Sequence, residues 1–330
     1  MNTTRLIGLL TALSLAAIVA SLLLGPTPIP LARTLPALFG SGTASDIAII
    51  QSIRLPRAIA AFLVGTMLGI SGAALQGLLR NPLAEPGVLG VSATSALFAT
   101  VTIYYGLVSL SSFILPLAAI AGAILATLFL AVAALRISSV VVLILIGVGI
   151  SSLAGALMSL LLNLSPTPFT LSDMVNWTMG SVANRSLDDL LLAAPFMLAG
   201  VLLLGLARRP ISALSLGEEV ASSVGVNLST ARLWVVLGCG LCTGAAVSVA
   251  GAVGFVGIVA PHLIRRHVNY DPGRTLVPAA LLAGLILVVA DTFVRLMPTT
   301  QELKLGVVAA LLGAPVFIYI ATQRMRGEFK

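Results

Sequence analysis

Apolar residues fall into ten runs, at 5–25, 57–79, 88–107, 112–135, 140–163, 187–207, 229–250, 252–265, 275–294 and 305–323, separated by short polar breaks. Most runs reach the roughly 20 residues that a helix needs to cross a bilayer. The pattern predicts an all-α polytopic membrane protein of about ten transmembrane helices, organised as one membrane domain over residues 1–330. The eighth run, "GAVGFVGIVAPHL", is short and glycine-rich, so it is expected to be tilted, broken or partly buried in protein. Three breaks stand out. "RNPLAEPG" (80–87) holds two prolines and a charge of each sign, "RRPISALSLGEEVASSVGVN" (208–227) is long, and "RRHVNYDPGR" (265–274) is the most basic.

Composition strengthens this reading. The chain is 58% apolar and 9% charged, against about 25% charged in soluble domains, and its mean hydropathy is +1.12. The net charge of +7 does not suggest nucleic acid, because the basic residues are scattered between apolar runs. They report topology instead. An even number of spans puts both termini on one side. If that side is the cytoplasm, only Arg33, Arg54, Arg57, Arg185, Arg295 and Lys304 of the 18 basic residues lie outside, a bias in the direction that basic cytoplasmic loops require. The run Leu6–Leu24 follows a single Arg5 with no small-residue cleavage pattern after it, and is read as an uncleaved first span.

Candidate chemistry is sparse. Ser71, in "GISG", and His262 are the pair an intramembrane serine protease would need, with the histidine as general base. The alternative is that Ser71 packs among glycines and His262 sits at the end of its helix, beside Arg265 and Arg266. Gly65 and Gly69 form a G-x-x-x-G pair suited to close helix approach. Cys239 and Cys242 lie in an apolar run and read as small packing residues rather than a redox or metal pair. There is no phosphate-binding loop, so the chain does not hydrolyse ATP alone, and no metal-ligand cluster is expected. Asp291 reads as an i,i+4 partner of Arg295.

The segment "SLGEEVASSVGVN" (215–227) is acidic and helix-shaped between two apolar runs. Ser215 and Glu218 match a capping box, Gly225 can end the helix in a left-handed turn, and Asn227 or Ser229 can cap the next span. Leu216, Val220 and Val224 give a helix of about eight residues one apolar face. A helix lying on lipid headgroups usually carries basic residues. Glu218 and Glu219 point rather to a groove on a cytoplasmic protein partner.

The chain resembles the FecCD-type permeases of bacterial ABC importers for iron–siderophore complexes, haem and cobalamin. Five stretches carry the resemblance, in order: "RLPRAIAAFLVGTMLGISGAALQGLLRNPLAEPGVLGV" (54–91), "WTMGS" (177–181), "LSLGEEVASSVGVN" (214–227), "GAVGFVGIVAPHLIRR" (251–266) and "ELKLGVVAALLGAPVFIYI" (302–320). The resemblance implies a type II ABC importer permease fold in the bacterial inner membrane, with no catalytic residue and no cofactor in this chain. It implies an iron chelate as cargo, with cobalamin as the alternative. It also implies two cytoplasmic ATPase subunits that use ATP, a periplasmic or lipid-anchored substrate-binding protein, and a second permease subunit, either a copy of this chain or a sister chain. Residues 208–227 match the loop that couples to the ATPase. Ser215, Leu216, Gly217, Glu218, Glu219, Val220, Ala221 and Gly225 are assigned to it, with Pro261, His262 and Arg265 beside it. Arg54, Arg57 and Arg295 match arginines that receive acidic residues of the binding protein. The fifth and tenth runs are expected to line the pathway, with Ser138 and Ser139 as a candidate gate. Residues 166–190 are expected to hold a short interfacial helix, in which Arg185, Asp188 and Asp189 could tune docking or cargo.

Overall fold

The structure, a computed structural model, describes residues 2–137, 139–299 and 302–328. Each apolar run contains a helix. The long helices are α1 (Thr3–Leu23), α4 (Leu55–Leu79), α5 (Val91–Tyr104), α6 (Ile114–Arg136), α7 (Val140–Asn163), α9 (Leu187–Leu214), α11 (Leu228–Ala250), α12 (Val256–Arg265), α13 (Pro272–Leu296) and α14 (Leu305–Glu328). Between them lie the short helices α2 (Leu31–Leu38), α3 (Ala44–Ile47), α8 (Pro168–Thr178) and α10 (Glu218–Ser223). Among the described residues, seven helices are long and apolar enough to cross a membrane, while α5 and the Leu305–Ile318 part of α14 are shorter. The 10-residue α12 is shorter still, and the backbone of the eighth run is unwound from Gly251 to Phe255 before it begins.

α4 and α11 form the centre. In each, 78% of the most apolar window is buried, against 17% for α7 at the periphery. The α4 glycines explain how closely the centre packs. A Cβ at Gly69 would stand 2.5 Å from the Ala283 Cβ and 2.6 Å from the Ala279 carbonyl oxygen of α13. One at Gly72 would collide with the Gly257 carbonyl of α12. The expected close approach at Gly65 and Gly69 is thus made against α13. Cys239 and Cys242 are free, fully buried and part of the same core, as packing residues should be.

Two helix boundaries differ from the sequence reading. α4 continues a helix that begins at Ala44 and passes through a π-helical stretch at Ala48–Arg54, so Arg54 and Arg57 are not at a helix start. α9 runs through Pro210 to Leu214, so the first third of the expected 208–227 loop belongs to that helix. Ser186 and Asp189 start α9 with a reciprocal capping box: the Asp189 amide donates to Ser186 Oγ at 3.2 Å, and the Ser186 amide donates to Asp189 Oδ2 at 2.9 Å. A local structural job therefore accounts for Asp189.

The bundle has two faces. The start of α1, α10 and the α12–α13 turn share one, where Leu6 and Leu10 pack on Ile264 and Val268. The opposite face carries α2, α3, α8 and the arginines at positions 54, 57 and 295.

Candidate functional site

On the α10 face, the acidic helix forms at the expected place with different caps. Its N-cap is Gly217, at φ +109°, with no side-chain hydrogen bond. Ser215 instead ends α9, where its hydroxyl donates to the Ser212 carbonyl at 2.7 Å. The predicted capping box is thus absent, because α9 extends far enough to claim the serine, and α10 has six residues rather than about eight. The other end follows expectation. Gly225 is left-handed at φ +84°, its amide donates to the Ser222 carbonyl, and the Val226 amide reaches back to Ala221, both at 3.0 Å. Asn227 Oδ1 then caps α11 through the Thr230 amide. Ala221 faces inward and is fully buried, whereas Leu216 (70%), Val220 (44%) and Val224 (68%) are exposed.

Two cavities lie on this face, both lined in part by Arg80, and the first adjoins α10. One of about 470 Å³ lies between the end of α4, the start of α7 and α10; it is lined by Leu78, Arg80, Asn81, Ser139, Val141 and Glu218 among others. It brings Ser139 and Glu218 to one space. Ser139 also caps α7, its hydroxyl accepting from the Val142 amide. Ser138 lies outside the described residues. The second cavity, of about 180 Å³, is lined by Gln76, Arg80, Pro261, Arg265, Tyr270 and Thr275 among others. His262 stands beside it with Nδ1 against the Arg265 guanidinium. No local spacing signals the bond from Ser212 Oγ to Asp271 Oδ1, at 2.6 Å, which ties the end of α9 to the N-cap of α13.

On the opposite face, Arg54, Arg57 and Arg295 are exposed only 3%, 6% and 9%. Arg57 grips Asp291 with three hydrogen bonds of 2.8–3.1 Å and also pairs with Glu302. Arg54 donates to the Leu22 and Leu23 carbonyls at 2.7 and 3.1 Å and to Thr27, capping the end of α1. Arg295 donates to Ser21, to the carbonyl at 2.9 Å and the hydroxyl at 2.7 Å. The expected Asp291–Arg295 pair is therefore replaced by Asp291–Arg57. The acidic partner that these arginines called for comes, for Arg57, from α13 and the segment before α14.

At the centre, the matched motifs meet. A Cβ at Gly180 of "WTMGS" would meet the Ala252 carbonyl, one at Gly251 the Trp177 carbonyl, and one at Gly306 the Met179 and Ala252 carbonyls. The Ser181 amide bonds the Ala250 carbonyl at 2.7 Å, and the Gly306 amide bonds Gly180 at 3.2 Å. Only glycine lets three backbones converge this way, and the bonds satisfy part of an irregular segment inside the bundle. The Phe255 amide is satisfied by the Glu85 carboxylate, Oε1, at 2.6 Å. Burial pushes the Glu85 carboxyl up from its ordinary range, and that amide opposes the shift. Arg185 lies over the Trp177 ring at 5.0 Å, at the edge of the same junction.

The protease reading fails on placement. Ser71 is fully buried against α11, where its carbonyl accepts from Cys239 Sγ at 3.3 Å, and its hydroxyl has no hydrogen-bond partner. His262 engages Arg265 instead. Among the described residues, no group of His, Cys, Asp and Glu could hold a metal ion.

A polytopic helical bundle with a broken helix at its centre and a short acidic helix at one end has the build of a membrane permease. The chain belongs to the FecCD transport family, which it matches over residues 12–323. It is similar to the uncharacterized ABC transporter permease protein YvrB of Bacillus subtilis, with 39% identity over 88% of this chain and 84% of that one. It is similar to the hemin transport system permease protein HmuU of Yersinia pestis, at 36% over 82% and 81%. It is also similar to the vitamin B12 import system permease protein BtuC of Salmonella paratyphi A, at 38% over 84% of each. A solved chain in an inward-facing conformation, from a transporter assigned to the metal-chelate ABC type, superposes with a TM-score of 0.83 and 30% identity, over 97% of this chain and 99% of that one. The chain is thus a membrane-spanning ABC permease subunit, not an enzyme, and it works with ATPase and substrate-binding partners.

Proposed function

We propose that the chain is the permease of an importer that carries a preassembled iron chelate, a siderophore complex or haem, across the bacterial inner membrane. Cobalamin is the second reading, since BtuC relatives are as similar as the haem relative. The α10 face lies in the cytoplasm with both termini, in accord with the excess of basic residues assigned there. A second copy of this chain packs along α7 and α14. The exposed Leu145, Leu153, Leu157 and Leu160 of α7, with Leu311 and Leu312 of α14, supply an uncharged wall for the cargo.

The observation that carries the reading is α10. It is held at its C-terminal end by a left-handed glycine motif, and with the turns on either side it leaves Leu216, Val220 and Val224 exposed beside Glu218 and Glu219. This helix is the contact for the ATPase, which presses it toward the cavity shared with Ser139. Pro261 and Arg265 line the second cavity on the same face, which shares Arg80 with the α10 cavity, and His262 contacts Arg265; the three extend the ATPase contact. A docking carboxylate from the substrate-binding protein reaches Arg57 by displacing Glu302, whose side chain is 38% exposed. Glu218→Lys combined with Glu219→Lys tests the coupling role. In the assembled transporter, ATP hydrolysis is expected to continue while uptake falls. Uptake with normal coupling would remove the charge from the account and leave the apolar trio, which Leu216→Asp with Val220→Asp then tests by loss of ATPase assembly.

A further inference from the structure

Glu85 belongs to none of the groups assigned above. It is half-buried in the α4–α5 loop, and no arginine, lysine or histidine pairs with it among the described residues. Its bond is to the Phe255 amide, at 2.6 Å. Phe255 is the residue before α12, where a helix leaves its first amides without partners. It stands at φ +66°, ψ −30°, a conformation that a bulky residue keeps only when its surroundings impose it.

The consequence of that conformation is on α14. The Phe255 ring packs edge to face on Phe317, with centroids 6.4 Å apart and planes at 76°. It also lies over Gly313, where an added Cβ would stand 2.9 Å from a ring carbon. The α14 backbone is anchored at its start by the Gly306–Gly180 bond, so Phe255 is a second contact, farther along the helix. Beside the carboxylate lies a cavity of about 190 Å³, lined by Leu68, Pro86, Ser92, Val253 and Gly257 among others, so the break is not packed solid on that side.

We infer that Glu85 is a positioning residue for transport: its carboxylate fixes the left-handed turn at Phe255 and thereby sets where α14 stands against the α11–α12 break. The inference rests on the permease reading. An acceptor at this place joins the α4–α5 loop, the broken helix and a helix at the proposed pathway wall. A shift of any one of them then requires the Glu85–Phe255 bond to hold or to break as a unit.

The test uses the transporter assembled with its ATPase and binding protein in nanodiscs or vesicles, comparing Glu85→Ala with Glu85→Gln. Glutamine keeps an Oε1 acceptor, and alanine does not. For Glu85→Ala, hydrogen exchange at the Phe255 amide is expected to accelerate about tenfold or more, which corresponds to at least about 1.4 kcal/mol. Uptake is expected to fall by a similar factor, with assembly and ATP hydrolysis retained. Glu85→Gln is expected to keep most of the protection and most of the uptake. Wild-type exchange and uptake in Glu85→Ala would overturn the inference, as would equal damage in both variants, which would assign the role to charge. If Glu85→Ala does not assemble, Phe255→Gly decides. It relieves the left-handed turn and removes the ring, so uptake should drop in an assembled complex; wild-type uptake would overturn the inference. A wild-type chain that assembles with no ATPase would defeat the permease reading instead, and is recognised before any variant is compared.

Discussion

Arg57→Ala perturbs a buried charge network, the pairing of Arg57 with Asp291 and Glu302. Arg57 and Asp291 have side chains 7% and 2% exposed and share three hydrogen bonds, so the substitution strands a carboxylate inside the bundle. Removing one partner of such a pair costs about 3–5 kcal/mol. Glu302, at 38% exposure, can rehydrate, so its pairing with Arg57 adds at most about 1 kcal/mol. Replacing both ions with apolar residues of similar size, Arg57→Met with Asp291→Leu, should restore most of the loss. The assay is a double-mutant cycle on reversible unfolding of the purified permease in mixed micelles. The expected coupling energy is at least about 2 kcal/mol. A coupling below about 0.5 kcal/mol would refute the buried pair and return Arg57 to the surface as a free docking residue.

Four further substitutions probe other parts of the structure. Ser71→Ala removes a buried hydroxyl that has no partner, so uptake should be unchanged and stability equal or higher by up to about 1 kcal/mol; a melting profile and an uptake assay check both, and loss of uptake would contradict the placement. Gly72→Leu puts a side chain onto the Gly257 carbonyl and should abolish a monodisperse, inserted protein, as read by size-exclusion profile, whereas Gly149→Ala on α7, with open space around it, should be tolerated. Ser212→Ala breaks the bond to the Asp271 carboxylate and should cost about 1.5–3 kcal/mol, measured by the same unfolding assay.

Much of the fold was legible because lipid imposes a blunt rule: long apolar runs must become helices. The broken eighth helix was also legible, from the glycines around Phe255. Helix ends were harder. Ser215 and Glu218 fit a capping box in sequence, but the serine was taken by α9, which passes through Pro210 without stopping. The charges were hardest. Asp291 and Arg295 are one turn apart, yet Asp291 pairs with Arg57 from far away in sequence, and no local spacing announces such a contact. Glu85 was visible only as one charge in "RNPLAEPG"; its partner is a backbone amide, which a sequence does not mark. The apolar face expected on the acidic helix was only partly legible: Val220 lies in α10, but Leu216 falls in the turn before the Gly217 cap and Val224 at the C-cap, because the helix is two residues shorter than its periodicity suggests.

The central claim is ATP-driven import through this chain. The direct measurement is uptake into sealed vesicles holding the permease with its ATPase, supplied with the substrate-binding protein loaded in turn with an iron–siderophore complex, haem or cobalamin. The account predicts accumulation of one of these that requires ATP hydrolysis and is lost with Glu218→Lys and Glu219→Lys together. An assembled complex that hydrolyses ATP yet accumulates none of the three would contradict it.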